Sequence, residues 1–192
     1  MVSRLRNIAK LTSGIYKKPD LIPDALYLQA THFDQYGSLD PLVEPQVSSN
    51  GKIQKHLLQD EDILFAAKGL NNFGVVYQPD LGAAVASSSF IVIRIQPEYK
   101  QLIIPEYLAW FLGHSPEIKK YHQRQLGTTV PSISLKKLGE VRINVPAIEK
   151  QEMIVKVQQL RNKQKELALE LEEARENQIK QLLINAINNH YE

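Results

Sequence analysis

Cysteine is absent from the 192 residues. That excludes a disulfide scaffold and any thiolate metal site, and it suits a reducing compartment. Long apolar runs are also missing: no stretch approaches the roughly 18 residues that a membrane-spanning helix needs. The first ten residues carry Arg4, Arg6 and Lys10 with no apolar run behind them, a poor match to a signal peptide. Nor is there an excess of one charge. Lys and Arg total 23 against 21 Asp and Glu, a formal net charge of +2, which permits a nucleic-acid partner without arguing for one. The expectation is a cytoplasmic protein large enough to bury one sizeable core, with no membrane contact.

Catalytic signatures are missing as well. Gly69 and Gly74 have the spacing of a phosphate-binding loop but lack the lysine and hydroxyl that would follow. No dinucleotide fingerprint, H-E-x-x-H or G-x-S-x-G occurs. The five histidines are scattered, and His114 and His122 read as surface side chains rather than a metal pair. Ser87-Ser88-Ser89 has no evident base beside it and reads as strand-edge packing and hydrogen bonding. Asp60-Glu61-Asp62 reads as a solvated turn ahead of a strand rather than a divalent-metal site. The expectation is a non-enzyme with no catalytic residues, no metal and no cofactor.

What is present falls into two regions. Through residue 147, short apolar runs alternate with turn signals. Ala25–Gln29, Ile63–Ala67, Gly74–Tyr77, Phe90–Ile95 and Val141–Val145 read as strands, the fourth as half-buried. Asn50-Gly51, Gln78–Gly82 and Asp34–Gly37 read as turns. Pro105-Glu106 opens a helix expected to stop at Gly113, because proline needs no N–H partner in a first turn and an acid there faces the helix dipole. Ser115-Pro116-Glu117 opens a second, ending near Gly127, and Ser134 caps a third that ends at Gly139. The fold class is α+β: a mixed, strand-rich domain over 1–147, then one long coiled-coil-forming helix over 148–192.

That last segment contains neither proline nor glycine and is rich in Leu, Glu, Gln, Lys, Arg and Ala, all good helix formers. Forty residues make a helix of about 60 Å, too long to lie against so small a domain. Met153, Val157, Leu160, Gln164, Leu167, Leu171 and Ala174 follow at alternating steps of four and three, an a/d heptad seam. It continues through Gln178 and Leu182 with a stutter. Gln164 and Gln178 are polar seam positions that can fix register. The plainer alternative is a helix packed on its own domain; the favoured expectation is pairing with a second copy or another protein.

Three segments can meet nucleic acid. Tyr16, Lys17 and Lys18 lie in a basic loop that could reach phosphate and sugar, or they are plain solvated surface. Lys68, Asn71 and Asn72 surround Gly69; lysine suits guanine edges and asparagine suits adenine, though a tight turn between strands fits the spacing equally well. The third runs from Lys119 and Lys120 through Gln123, Arg124 and Gln125 to Thr128, with Lys120 and Arg124 sharing a helix face.

The ordered fragments Tyr27-Leu-Gln29, Asp60-Glu-Asp-Ile-Leu-Phe-Ala-Ala-Lys-Gly69, Ala84–Arg94, Ile104-Pro-Glu-Tyr-Leu-Ala-Trp-Phe-Leu112, Gly127, Pro131-Ser-Ile-Ser134, Leu138, Val145-Pro146, and Glu149, Gln151 and Ile154 carry a resemblance. From about residue 1 to 187 the chain resembles one half of a specificity subunit of type I restriction-modification systems. The resemblance implies a target recognition domain followed by a spacer helix. It also implies that Tyr27–His32, the Lys68-Gly69 loop and residues 119–129 lie near DNA. Two copies, paired through Val157, Leu160, Gln164, Leu167, Leu171, Ala174, Gln178 and Leu182, would read a gapped inverted repeat in double-stranded DNA. Methyltransferase subunits, and beyond them a restriction or translocase subunit, would supply the chemistry. The rival expectation is a protein-interaction adaptor that uses the long helix and binds no DNA.

Overall fold

The fold is taken from a computed structural model that describes residues 1–34, 37–69, 72–123 and 131–188. It divides into two compact units, Met1–Glu152 and Met153–Glu192. In chain order the strands are β1 (Val2–Arg4), β2 (Ala9–Ser13), β3 (Leu26–Leu28), β4 (Ile63–Ala66), β5 (Gly74–Val76), β6 (Ala84–Ala86), β7 (Phe90–Ile95) and β8 (Arg142–Asn144). The α-helices are α1 (Leu5–Ile8), α2 (Pro105–His114), α3 (Pro116–Gln123), α4 (Leu135–Gly139) and α5 (Ile148–Asn188). No helix among the described residues is long and apolar enough to cross a membrane.

A four-stranded sheet in the order β2-β7-β4-β5, antiparallel throughout, forms the centre of the first unit. Side chains alternate across a strand, and here both faces are buried. Ile63 and Phe65 of β4 join Ile91, Ile93 and Ile95 of β7 in one core, with Leu5, Ile8, Leu108, Leu112 and Leu138 packed against them. Leu64 and Ala66 join Phe90 and Val92 in the other, against Leu26, Leu28, Leu58 and Ala86. The half-buried strand expected at 90–95 is therefore buried on both faces, because helices cover one side and the parallel pair β3–β6 the other.

Three strands escape sequence reading. β2 reads Ala-Lys-Leu-Thr-Ser and β6 Ala-Val-Ala, too polar or too small to announce a strand. β1 pairs with β8 across some 140 residues, Ser3 opposite Ile143. Helix α2 continues through Gly113 to His114, whose Nδ1 lies 2.8 Å from the Trp110 carbonyl oxygen. The acidic run is the exposed turn expected at Asp60 and Glu61, but not at Asp62. Asp62 is fully buried and bound to Arg94, and Glu61 pairs with Lys100 at 2.7 Å.

The expected cap is found at α4, where the Ser134 hydroxyl accepts from the Lys137 N–H. The first turn of α5 is anchored by Gln151, which is completely buried. Its Oε1 accepts from the Ile104 N–H at 3.0 Å, and its Nε2 donates to the Leu102 and Pro146 carbonyls, both at 2.8 Å. One buried amide thus binds three backbone groups at once. Gln151→Met keeps the volume but strands all three. It should cost at least about 1–3 kcal/mol, read as a lower urea midpoint with an unchanged slope; an unchanged midpoint would contradict the assignment.

In the second unit, the seam residues Val157, Leu160, Leu167, Leu171 and Leu182 are each half or more exposed. Gln164, Ala174 and Gln178 are exposed too. The ion pairs Lys163–Glu166 and Arg175–Glu172 lie along the helix surface, where such pairs contribute little.

Candidate nucleic-acid interface

Strands β2 and β4 both run antiparallel to β7. Both therefore leave the sheet at the end where β7 begins: Ser13 stands opposite Ile91, and Ala66 opposite Phe90. Three connections emerge side by side there. They are the loop after Ser13, the loop after Ala66, and the Ser87–Ser89 turn that leads into β7.

The first loop is held against the turn by backbone bonds. The Gly14 N–H donates to the Phe90 carbonyl at 3.0 Å and the Ile15 N–H to the Ala86 carbonyl at 2.9 Å. A Cβ on Gly14 would lie 2.0 Å from the Ser87 carbonyl oxygen, so only glycine permits this approach. Tyr27, buried in the core, donates its hydroxyl to the Ile15 carbonyl at 2.9 Å. Beyond these anchors Tyr16 is 77% exposed. Lys17 pairs with Asp20 at 2.8 Å. Lys18 is exposed and has no ion-pair partner among the described residues.

The second loop meets the same turn. Lys68 Nζ donates to the Ser88 hydroxyl at 3.3 Å, and Lys68 forms an isolated bridge with Ser132. Gly69, at φ +95°, takes the left-handed conformation that glycine adopts without strain. Its N–H donates to the Pro131 carbonyl at 2.9 Å, and the Ile133 N–H donates to the Ala67 carbonyl at 2.8 Å. The chain that returns from the third segment is thus stitched to the second. Asn72 is committed to the loop itself, its Nδ2 donating to the Ala66 carbonyl at 2.6 Å.

Within the serine turn, Ser87 Oγ and Ser89 Oγ are 2.6 Å apart, and Ser89 Oγ accepts from the Ala30 N–H at 3.2 Å. The hydrogen-bonding role expected of these serines holds, and Ser88 gains a cationic neighbour that spacing could not reveal. On α3, Ile118 is buried while Lys119 and Lys120 are exposed. Asn71, Arg124, Gln125 and Thr128 lie outside the described residues, as does the Gln123 side chain. The arrangement offers ammonium, hydroxyl and phenol donors on a rigid frame, chemistry suited to phosphate and base edges.

Two carboxylates brace the first loop from behind. Asp20 lies below the ordinary carboxylate range, first because the Lys17 ammonium hydrogen-bonds to it, then because the Ser48 N–H donates to it. Asp24 is lowered by the Ser49 N–H and then the Ser49 hydroxyl, at 2.5 and 2.7 Å. With both folded values depressed, the stabilisation is full above the unfolded value of about 4. It is lost as pH falls through the lower folded values. In a pH titration followed by NMR, the Ser48 and Ser49 amides should shift with midpoints below that of a free aspartate. Midpoints at or above it would refute the bracing.

The family model described as type I restriction modification DNA specificity domain matches residues 27–181. The crystal structure of the HsdS subunit from Thermoanaerobacter tengcongensis superimposes with a TM-score of 0.57 at 15% identity, over 85% of this chain and 37% of that one. A structure described by the complex assembly and conformational transition of the type I R-M system gives 0.54 at 17% identity, over 85% and 38%. This chain therefore spans under two-fifths of the length of either. No curated protein matches it significantly.

Proposed function

Starting from the fact that this chain belongs to the type I restriction modification DNA specificity family, we propose that it reads a DNA sequence as one half of a paired specificity module and performs no chemistry of its own. Residues 1–147 are the target recognition domain and 148–192 the spacer helix. The observation that supports the reading is the meeting of three connections at one end of the central sheet, where Gly14 and Ile15 bond through their backbone to either side of the serine turn, Lys68 bonds to Ser88 within it, and Tyr16 follows as an exposed side chain. Lys17, Lys119, Lys120 and Asn72 belong to the same proposed surface, together with Asn71, Gln123, Arg124, Gln125 and Thr128. Lysines there position the duplex through phosphate, and the polar side chains read base edges.

Two copies would pair through the exposed seam of α5. A 41-residue helix with a leucine stripe half in water is stabilised by burying that stripe against a like one. Two identical domains held by paired helices would read two halves of an inverted repeat, with a gap set by the helices. Methyltransferase subunits, and a restriction or translocase subunit, would bring the catalysis. The reading is supported by the description of the second similar structure as an assembly of a type I system.

The decisive experiment compares methylated motifs in a genome with and without this gene. Loss of methylation at a gapped inverted repeat is expected; an unchanged methylome would defeat the reading. In solution, the double substitution Leu167→Glu and Leu171→Glu should yield monomers by light scattering, and a dimer that survives would discard the seam as the contact. Lys68→Ala should weaken binding across all sequences and reduce the slope of log affinity against log salt by about 1. A loss confined to one base position would instead make Lys68 a base reader.

A further inference from the structure

A second cationic cluster lies beside β2 and β7, around a cavity that extends along β2 to the Gly14-Ile15 loop. Arg94 of β7 stands directly opposite Lys10 of β2, so both side chains leave the same face of the sheet. Like charges placed this way are destabilising unless something compensates them. Asp62 compensates one. Its carboxylate is fully buried. It takes Arg94 Nε at 2.7 Å on one oxygen, and Nη2 at 2.6 Å and the Gln59 N–H at 2.8 Å on the other. The guanidinium is thereby locked in a two-point fork, while its Nη1 has no partner among the described residues.

Lys10, Thr12, Lys55, His56, Asp62 and Arg94 help line a cavity of about 250 Å³. Thr12 and Lys10 are two apart on β2 and so share its face. Lys55 and His56 come from the end of the 3-10 turn Gly51–His56. Among the described residues neither Lys10 nor Lys55 has an ion-pair partner. Three cations and one carboxylate, itself saturated by donors, leave two positive charges uncompensated around a concave site that also offers a hydroxyl. A small anion with several acceptor oxygens satisfies all of these groups at once; an apolar or cationic ligand satisfies none.

We propose that this cavity is a phosphate-binding site in which Arg94 Nη1, the Lys10 and Lys55 ammoniums and the Thr12 hydroxyl are the donors, and Asp62 is the positioning residue that aims Arg94. The phosphate comes either from a DNA backbone or from a free phosphate compound. As a DNA contact the site rests on the function proposed above; as a phosphate site it stands independently of it.

The test uses the full chain and inorganic phosphate at constant ionic strength, followed by NMR. Saturable shifts are expected at the Arg94 Nε–Hε and the Thr12 amide. They should vanish in the double variant Lys10→Gln and Lys55→Gln, whose exposed positions leave the remaining spectrum in place. Absence of saturable shifts, or equal shifts in the variant, overturns the proposal. A duplex titration then assigns the source. If DNA supplies the phosphate, the double variant lowers the slope of log affinity against log salt by about 2. An unchanged slope, with the phosphate shifts intact in the parent chain, assigns the site to a free phosphate compound. A parent chain that binds no duplex yet still takes up phosphate removes the DNA reading and leaves the pocket standing.

Discussion

Strand β7 is buried on both faces and hydrogen-bonded on both edges, and this one condition places most of what matters in the first unit. A strand so enclosed cannot slip register, because a shift of one residue would exchange Phe90 and Val92 with Ile91 and Ile93 between two differently shaped cores. Its neighbours are fixed in turn. Since both run antiparallel to it, the end where β7 begins must also be the end where β2 and β4 finish. The clustering of three loops there is a consequence of strand direction, independent of any attraction among the loops. The loops can vary in sequence while the frame holds their positions.

The opposite end of β7 is organised by charge. Arg94 faces Lys10 across the strands, and buried Asp62 is what makes that juxtaposition tolerable. A buried ion pair returns little net stability, because desolvating both charges offsets their attraction. Its value here lies in orientation: the fork holds the guanidinium in one pose and leaves one nitrogen without a partner among the described residues. The same residue also shapes the backbone, since the Tyr77 N–H donates to the Asp62 carbonyl and so ties β5 to the turn before β4.

The second unit follows a different economy. Helix α5 contains no breaking residue, and its seam is exposed from Val157 onward. Surface ion pairs cannot replace the burial that a stripe of leucines would give. The helix is therefore specified locally, and its stripe of leucines is left half in water. Its first turn belongs to the first unit, where Gln151 binds three backbone groups and fixes where the helix starts.

The sequence by itself determined the elements whose signal is local. Period and the absence of breakers marked α5 and the residue at which it starts. Ser134 marked α4, and apolar runs marked β3, β4, β5, β7 and β8. The ordered fragments also carried the family. What only tertiary structure decided was set by partners distant along the chain. β1 is a strand because β8 is there to pair with it, and β2 because β7 is. Asp62 looked like a solvated acid until Arg94, 32 residues on, was brought beside it. The meeting of Lys68 with Ser88 and Ser132 has the same origin, as does the Gly14 contact with Ser87. Local propensity can state what a segment prefers, but which charges and hydroxyls share a surface is a property of strand order, and no single stretch of sequence encodes that order.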